Sequence, residues 1–279
     1  MIINMSEKNY RAMDRTHIYS SLLKTIYSQS AKHLDKEREE NDAFTFGTLA
    51  HMYILEPEKF KETTILQPEF NPISKEMKEK YKDGDANYNR TKECREQKEA
   101  FEASVGDKTV VSPSDMEKLE KMLTSIKNGN YDLYEEFLTG GKAEYTIVND
   151  FHEHNGKKFP VKVRIDYFIF RDTITIVDVK TTQNASEQAF RYDIRKYGYD
   201  IQAAFYMDVV KQKFPGHSVR FLWVAVEKLP PYAFGWYECS QETYQYGYDK
   251  YSSVMEEALN VLNGGVKKGY KAAYDIVAI

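Results

Sequence analysis

The chain carries only two cysteines, Cys94 and Cys239. Two thiols cannot build a disulfide framework or the four-thiolate ligand set of an iron–sulfur cluster, so an iron–sulfur nuclease is disfavoured. There is no apolar run of about 18 residues, the length a membrane helix needs, and no basic-then-apolar leader at the amino end. A mean hydropathy of −0.64 points the same way. The expected location is the cytoplasm. Excess positive charge is also missing, since the formal net charge is −4. Net charge averages over faces, however, so any reading that involves nucleic acid must rest on local basic residues. Internal repeats, low-complexity tracts and Pro/Gly/Ser-rich linkers are absent too. The 279 residues therefore read as one domain, helical to about residue 130 and strand-rich beyond.

What is abundant is tyrosine, with 22 residues; amphipathic packing at the core boundary accounts for most of them more simply than stacking platforms do. Thr16 to His33 carries Ile18, Leu22, Leu23 and Ile26 at helical spacing, and Phe44 to Leu55 gives a second helix that stops before Pro57. Residues 73 to 103 mix both charge signs and read as a solvated helical face interrupted near Asp83-Gly84-Asp85. Ser112-Pro113-Ser114-Asp115-Met116-Glu117 has the features of a helix start, with the helix running to about Lys127.

After residue 140 the period changes to two. Ala143 to Asn149, Lys158 to Phe170 and Thr173 to Lys180 read as three strands of an antiparallel meander, turning at Arg171-Asp172. A helix from about Ser186 to Lys213 follows, then strands Ser218 to Val226 and Ala233 to Glu238, and a closing helix from Gln241 to Lys268.

The third strand of the meander is the most informative stretch. Strand alternation puts Asp178 and Lys180 on one face, side by side, in a β-branched segment. Burying that pair is expensive unless both charges have partners, and a divalent metal with its water would provide them. Asp166 closes the polar face of the preceding strand, so the hairpin can bring the two acids together as hard oxygen ligands. Lys180 is placed to orient or deprotonate an attacking water and to offset charge in a transition state. The competing explanation is a cross-strand salt bridge among Lys162, Arg164, Asp166, Asp178 and Lys180. Gln202 and Tyr206, four apart on the following helix, share a face and are candidates for holding a phosphate.

The order Asp…Asp-x-Lys…Gln-x-x-x-Tyr resembles the PD-(D/E)XK nuclease superfamily, and within it the RecE-type exonuclease VIII family of phages and prophages. Phe46-Gly47-Thr48-Leu49-Ala50-His51, Gly141-Lys142-Ala143-Glu144 and Val163-Arg164-Ile165-Asp166 match further family stretches, so the resemblance spans residues 46 to 206. Ile165 stands where the usual motif has proline, and Asp178 where many members have glutamate. The resemblance implies an α/β fold with a restriction-endonuclease-like core, a mixed central sheet flanked by helices, and a helical amino-terminal part. It implies that His51, Asp166, Asp178 and the Val179 backbone carbonyl bind Mg²⁺, with Mn²⁺ able to substitute. Glu144 would assist at the metal, Lys180 would act on the water, and Gln202 and Tyr206 would position the DNA backbone.

The activity implied is exonucleolytic, 5′→3′ degradation of linear double-stranded DNA that leaves 3′ single-stranded tails for phage-type recombination. A ring-shaped homo-oligomer such as a tetramer, and a RecT-type single-strand annealing protein as partner, are implied as well, in a bacterial host cell. Candidate DNA contacts are Arg164, Arg191, Arg195 and Lys196, with Arg191 and Arg195 four apart on one side of a helix. The alternatives are a structure-specific or restriction-like endonuclease of the same superfamily and a non-catalytic DNA-binding subunit.

Overall fold

The computed structural model describes residues 2–3, 5–35, 42–270 and 273. In chain order its elements are β1 (Ile2–Ile3), α1 (Glu7–Ala12), α2 (Ser20–Ser28), α3 (Asp42–Leu55), α4 (Pro57–Thr63), β2 (Thr64–Leu66), α5 (Lys75–Lys80), α6 (Lys92–Val105), β3 (Thr109–Val111), α7 (Pro113–Gly129) and α8 (Tyr131–Leu138). Then come β4 (Lys142–His154), β5 (Lys157–Ile169), β6 (Thr173–Thr182), α9 (Glu187–Lys196), α10 (Tyr199–Lys213), β7 (Ser218–Glu227), β8 (Phe234–Glu238) and α11 (Gln241–Leu262). They group into two compact units, one of residues 42–124 and one of residues 1–41 with 125–279.

The unit of residues 42–124 is helical apart from β2 and β3, a short parallel pair that sequence periodicity does not reveal. In it the charge-rich stretch divides around Tyr88, whose ring is buried and whose hydroxyl donates to Glu93 at 2.8 Å. α6 starts where Thr91 accepts a hydrogen bond from the Cys94 N–H, a side-chain cap for an otherwise orphaned donor.

The larger unit is built on a six-stranded mixed sheet in the order β1-β4-β5-β6-β7-β8. β6 and β7 are parallel and the other neighbours antiparallel, which gives the expected α/β core. A strand covered on both faces needs apolar residues at both parities. β6 has them, with Ile174, Ile176, Val177 and Val179 all buried. α2, α9, α10 and α11 share one hydrophobic core with the sheet, drawing on Leu23, Phe190, Phe205 and Tyr251.

β5 and β6 are paired over a short stretch only, Tyr167↔Val177, Phe168↔Ile176 and Ile169↔Thr175. Further along β5, its edge accepts the backbone of Ile18 instead: Ile18 N–H donates to the Pro160 carbonyl at 2.8 Å and Lys162 N–H to the Ile18 carbonyl at 2.9 Å. Lys162 fastens this segment from below. Its buried ammonium donates to the Tyr10 carbonyl at 2.5 Å and to the Asp14 carboxylate. The sheet thus parts next to the positions of Asp166 and Asp178, and the amino-terminal segment fills part of the opening.

Several elements differ from their sequence expectation. Ile18 is extended, so the first long helix shrinks to α2 followed by a short turn at Ala31–Asp35. The helix expected from Ser186 to Lys213 is two helices. Gly198, at φ +63, sits in the left-handed region that glycine adopts without strain, and it breaks the run between α9 and α10. The closing helix ends at Leu262, before Gly264 at φ +78.

His152 and His154, near the end of β4, are both buried. The β4–β5 register shifts between Asn149 and His152, and such a bulge re-aims the side chains beyond it. His152 then packs edge-on against Phe205 and is 0% exposed, and neither ring nitrogen has a hydrogen-bond partner among the described residues. Burial pushes its pKa down to about 4. The unfolded chain therefore takes up a proton that the folded one refuses. Stability should be intact above pH 6.5 and should fall from there toward pH 4, by on the order of 3 kcal/mol from this group. His152→Leu should flatten that limb in denaturant titrations run at successive pH values; an unchanged slope would assign the acid sensitivity elsewhere.

Candidate active site

Continuing the β5–β6 register one step beyond Tyr167↔Val177 places Asp166 opposite Asp178. The two carboxyl groups lie close enough that Asp178 helps hold a proton on Asp166. Asp178 is only 1% exposed, and Lys180 reaches it with Nζ–Oδ distances of 2.7 and 2.6 Å. Burial pushes the Asp166 carboxyl well above the usual carboxylate range; the Asp178 charge and, more weakly, Glu144 add to this, against the pull of Lys180. Burial works against the Lys180 charge, yet Asp178 and Asp166 outweigh it and raise its pKa. The result is a salt-bridged Asp178–Lys180 pair beside an acid driven to keep its proton.

The other residues singled out from the sequence take varied positions. Gln202, on α10, donates from Nε2 to Asp178 Oδ1 at 2.8 Å, so it orients the acid. Tyr206, one turn on, is buried, and burial pushes its hydroxyl pKa far up, with Ser20 pulling against it. Glu144 adopts φ +53, a conformation that costs a residue bearing a Cβ and that often marks functional sites. Its carboxylate accepts from Nε of Arg164, two residues before Asp166 on β5. Arg164 is thus engaged with Glu144 and lies 5.6 Å from the Tyr10 ring. Arg191 bonds Glu187 at 2.6 Å on the exposed side of α9, and Arg195 lies 3.9 Å from Glu242. Val179 is buried and pairs with Val224 of β7. His51 lies on α3, in the unit of residues 42–124.

Sequence reasoning missed Lys24. It sits on α2, and its ammonium donates to Gln202 Oε1 at 2.9 Å, which completes a chain of hydrogen bonds Lys24–Gln202–Asp178–Lys180. Burial and the nearby Lys180 charge pull its pKa down to about 7, against Asp178, Asp166 and Asp200. Tyr199 lies between the two amines, its ring 5.4 Å from Lys24 Nζ and 5.0 Å from Lys180 Nζ.

Among the described residues, no group of three or more His, Cys, Asp or Glu side chains is gathered to hold a metal. The Asp166–Asp178 pair nevertheless fits a hard divalent cation. Two neighbouring carboxyls, one driven to keep its proton by the charge of the other, carry one proton more than they need once a cation takes its place, and magnesium is commonly held by one or two carboxylates, with water and phosphate oxygens completing its shell.

A family model described as a PDDEXK-like domain of unknown function (DUF3799) matches residues 18–275. No curated protein matches the sequence significantly. Among solved structures, a candidate exonuclease from Eubacterium rectale is similar with a TM-score of 0.60 at 15% identity, over 99% of this chain and 95% of that one. That likeness bears on the fold. The structure of SSO0001 is aligned over 86% of this chain and 84% of that one at 14% identity, with a TM-score of 0.31 that supports no argument. No helix among the described residues is long and apolar enough to cross a membrane.

Proposed function

Because the chain belongs to the family of PDDEXK-like domains of unknown function, DUF3799, we propose that it is a metal-dependent deoxyribonuclease that degrades linear double-stranded DNA from its 5′ ends, leaving 3′ tails for recombination. The observation that carries the reading is the pairing of two acids, Asp166 beside the buried Asp178, with Lys180 against them. An isolated structural salt bridge would need one acid. The second acid is a burden unless a cation or a proton compensates it.

In this reading Asp166 and Asp178 hold Mg²⁺ or Mn²⁺, with the Val179 carbonyl and His51 as further ligands and Glu144 assisting. The bound cation supplies charge neutralisation at the phosphoryl oxygens and a hydroxide-like water. Lys180, on the same strand face as Asp178, holds its ammonium where negative charge grows as the phosphodiester is attacked. Gln202 keeps Asp178 in one orientation through its amide, and Lys24 fixes that amide by binding its oxygen. Polarity, a ring-shaped homo-oligomer, a RecT-type annealing partner and a phage or prophage origin in the bacterial cytoplasm follow from the RecE-type resemblance.

The test is digestion of linear duplex labelled at either the 5′ or the 3′ end, with magnesium or manganese, alongside covalently closed circular duplex. Early release of the 5′ label with the circle intact is expected. Cutting of the circle would turn the reading to an endonuclease, and no cleavage of any DNA would leave a binding subunit.

A further inference from the structure

A file of aromatic rings and cations leads outward from Lys180. Tyr199 comes first, and Tyr197 follows with its ring centroid 5.7 Å from that of Tyr199. Lys196 Nζ lies 5.0 Å from the Tyr197 ring and 5.7 Å from the Tyr192 ring. Tyr192 and Tyr197 are 66% and 49% exposed, so their faces are open to a stacking partner. Arg195 lies 5.1 Å from the ring of Tyr246, which is also exposed.

Beside this file runs a cleft of about 260 Å³, lined by Lys24, Arg195, Lys196, Tyr197, Gly198 and Lys250. Gly247 lets α11 come so close to the Asp200 carbonyl that a Cβ there would lie 2.0 Å from the oxygen. Lys250, a turn further along, reaches the Asp200 carboxylate at 2.5 Å and so stays at the cleft wall. Four basic side chains line the cleft, but Lys250 is paired with Asp200, and Lys24, its pKa pulled down to about 7, is only partly charged. Arg195 and Lys196 therefore supply most of the positive charge there, in a protein whose formal net charge is −4. That local field complements an anion.

We propose that the cleft takes a backbone phosphate and the exposed tyrosines take the bases of an unpaired DNA strand flanking the reacting nucleotide. Phosphates want the cations, and bases want the rings. A base already stacked and paired within a duplex cannot present its face to Tyr192 or Tyr197, so the surface favours a single strand. The inference rests on the nuclease reading for its continuity with Asp178 and Lys180, and it adds that the strand reaches them already separated from its complement.

Binding without turnover isolates the question. Fluorescence anisotropy of the full chain in EDTA, with labelled oligothymidine and with blunt duplex of equal length, is the measurement. The double variant Tyr192→Leu/Tyr197→Leu should weaken single-strand binding on the order of ten- to a hundredfold and leave blunt duplex unchanged, while Tyr192→Phe/Tyr197→Phe, which keeps the rings, should bind as wild type. Arg195→Gln with Lys196→Gln should flatten the salt dependence of single-strand binding by about 0.7 in log–log slope for each phosphate deprived of its cation. All four side chains are solvent-facing, so folding does not depend on them, and a melting midpoint for each variant verifies this.

Unchanged single-strand affinity in the leucine variant would overturn the inference, as would an equal loss on both substrates, which would mean that the cleft grips duplex backbone. Cleavage of linear duplex by the wild type is read separately. Tyrosine-dependent strand binding without any cleavage would sink the nuclease reading and leave the strand surface standing; cleavage with tyrosine-independent binding would do the reverse.

Discussion

Replacing Lys180 with alanine is expected to lower DNA cleavage by about a hundredfold or more while the protein still binds its substrate. The ammonium is held against both oxygens of Asp178, and the two acids keep it charged in spite of burial. A cation fixed in a poorly hydrated site acts on developing phosphoryl charge without first having to reorganise, which is why its removal affects rate more than binding. Removal also leaves Asp178 with one fewer counter-charge, so the melting midpoint should fall. The rate therefore has to be compared at a temperature where both proteins are folded. Single-turnover cleavage near the wild-type rate would take Lys180 out of the chemistry and leave it as a salt-bridge partner only.

The second large effect concerns the acid pair. Asp166→Asn should abolish cleavage and yet raise the melting midpoint of the metal-free protein. The substitution removes one of two neighbouring acids whose charges oppose each other and keeps a group that can hydrogen-bond Asp178. In the wild type, a cation at about a hundred times its dissociation constant should add roughly 3 kcal/mol, or several degrees of melting temperature for a chain of this length. In Asp166→Asn that gain should vanish. Thermal melts of both proteins in EDTA and in magnesium or manganese give all four values. An Asn variant that is less stable without metal and still gains from it would show that Asp166 is structural and that the cation binds elsewhere.

The sequence revealed the acid pair because its geometry is local. Strand alternation fixes the face of Asp178 and Lys180, and a tight hairpin at Arg171-Asp172 limits where Asp166 can lie. Gln202 was legible as a candidate for holding a phosphate, but not as the residue whose amide orients Asp178. Lys24 left no trace because nothing in the pattern of Leu22, Leu23 and Ile26 distinguishes a lysine that enters a site from one that faces water. The division of the long helix at Gly198 was hidden by good helical periodicity on either side. The burial of His152 depends on a single bulge, which inverts the inside and outside of β4 without altering its composition. Arg164 read as free to grip a phosphate because the positive φ of Glu144, which turns that carboxylate onto it, cannot be seen in a list of residues.

The hydrogen bond between Lys24 and Gln202 joins residues separated by 178 positions. On a ribosome adding about 5 to 20 residues per second, Lys24 waits roughly 10 to 35 s for its partner to be made. Until then the amino-terminal helix has neither Gln202 to hold nor Asp178 to orient through it. A half-made chain therefore lacks the network that orients Asp178, and the site is assembled only late in its synthesis.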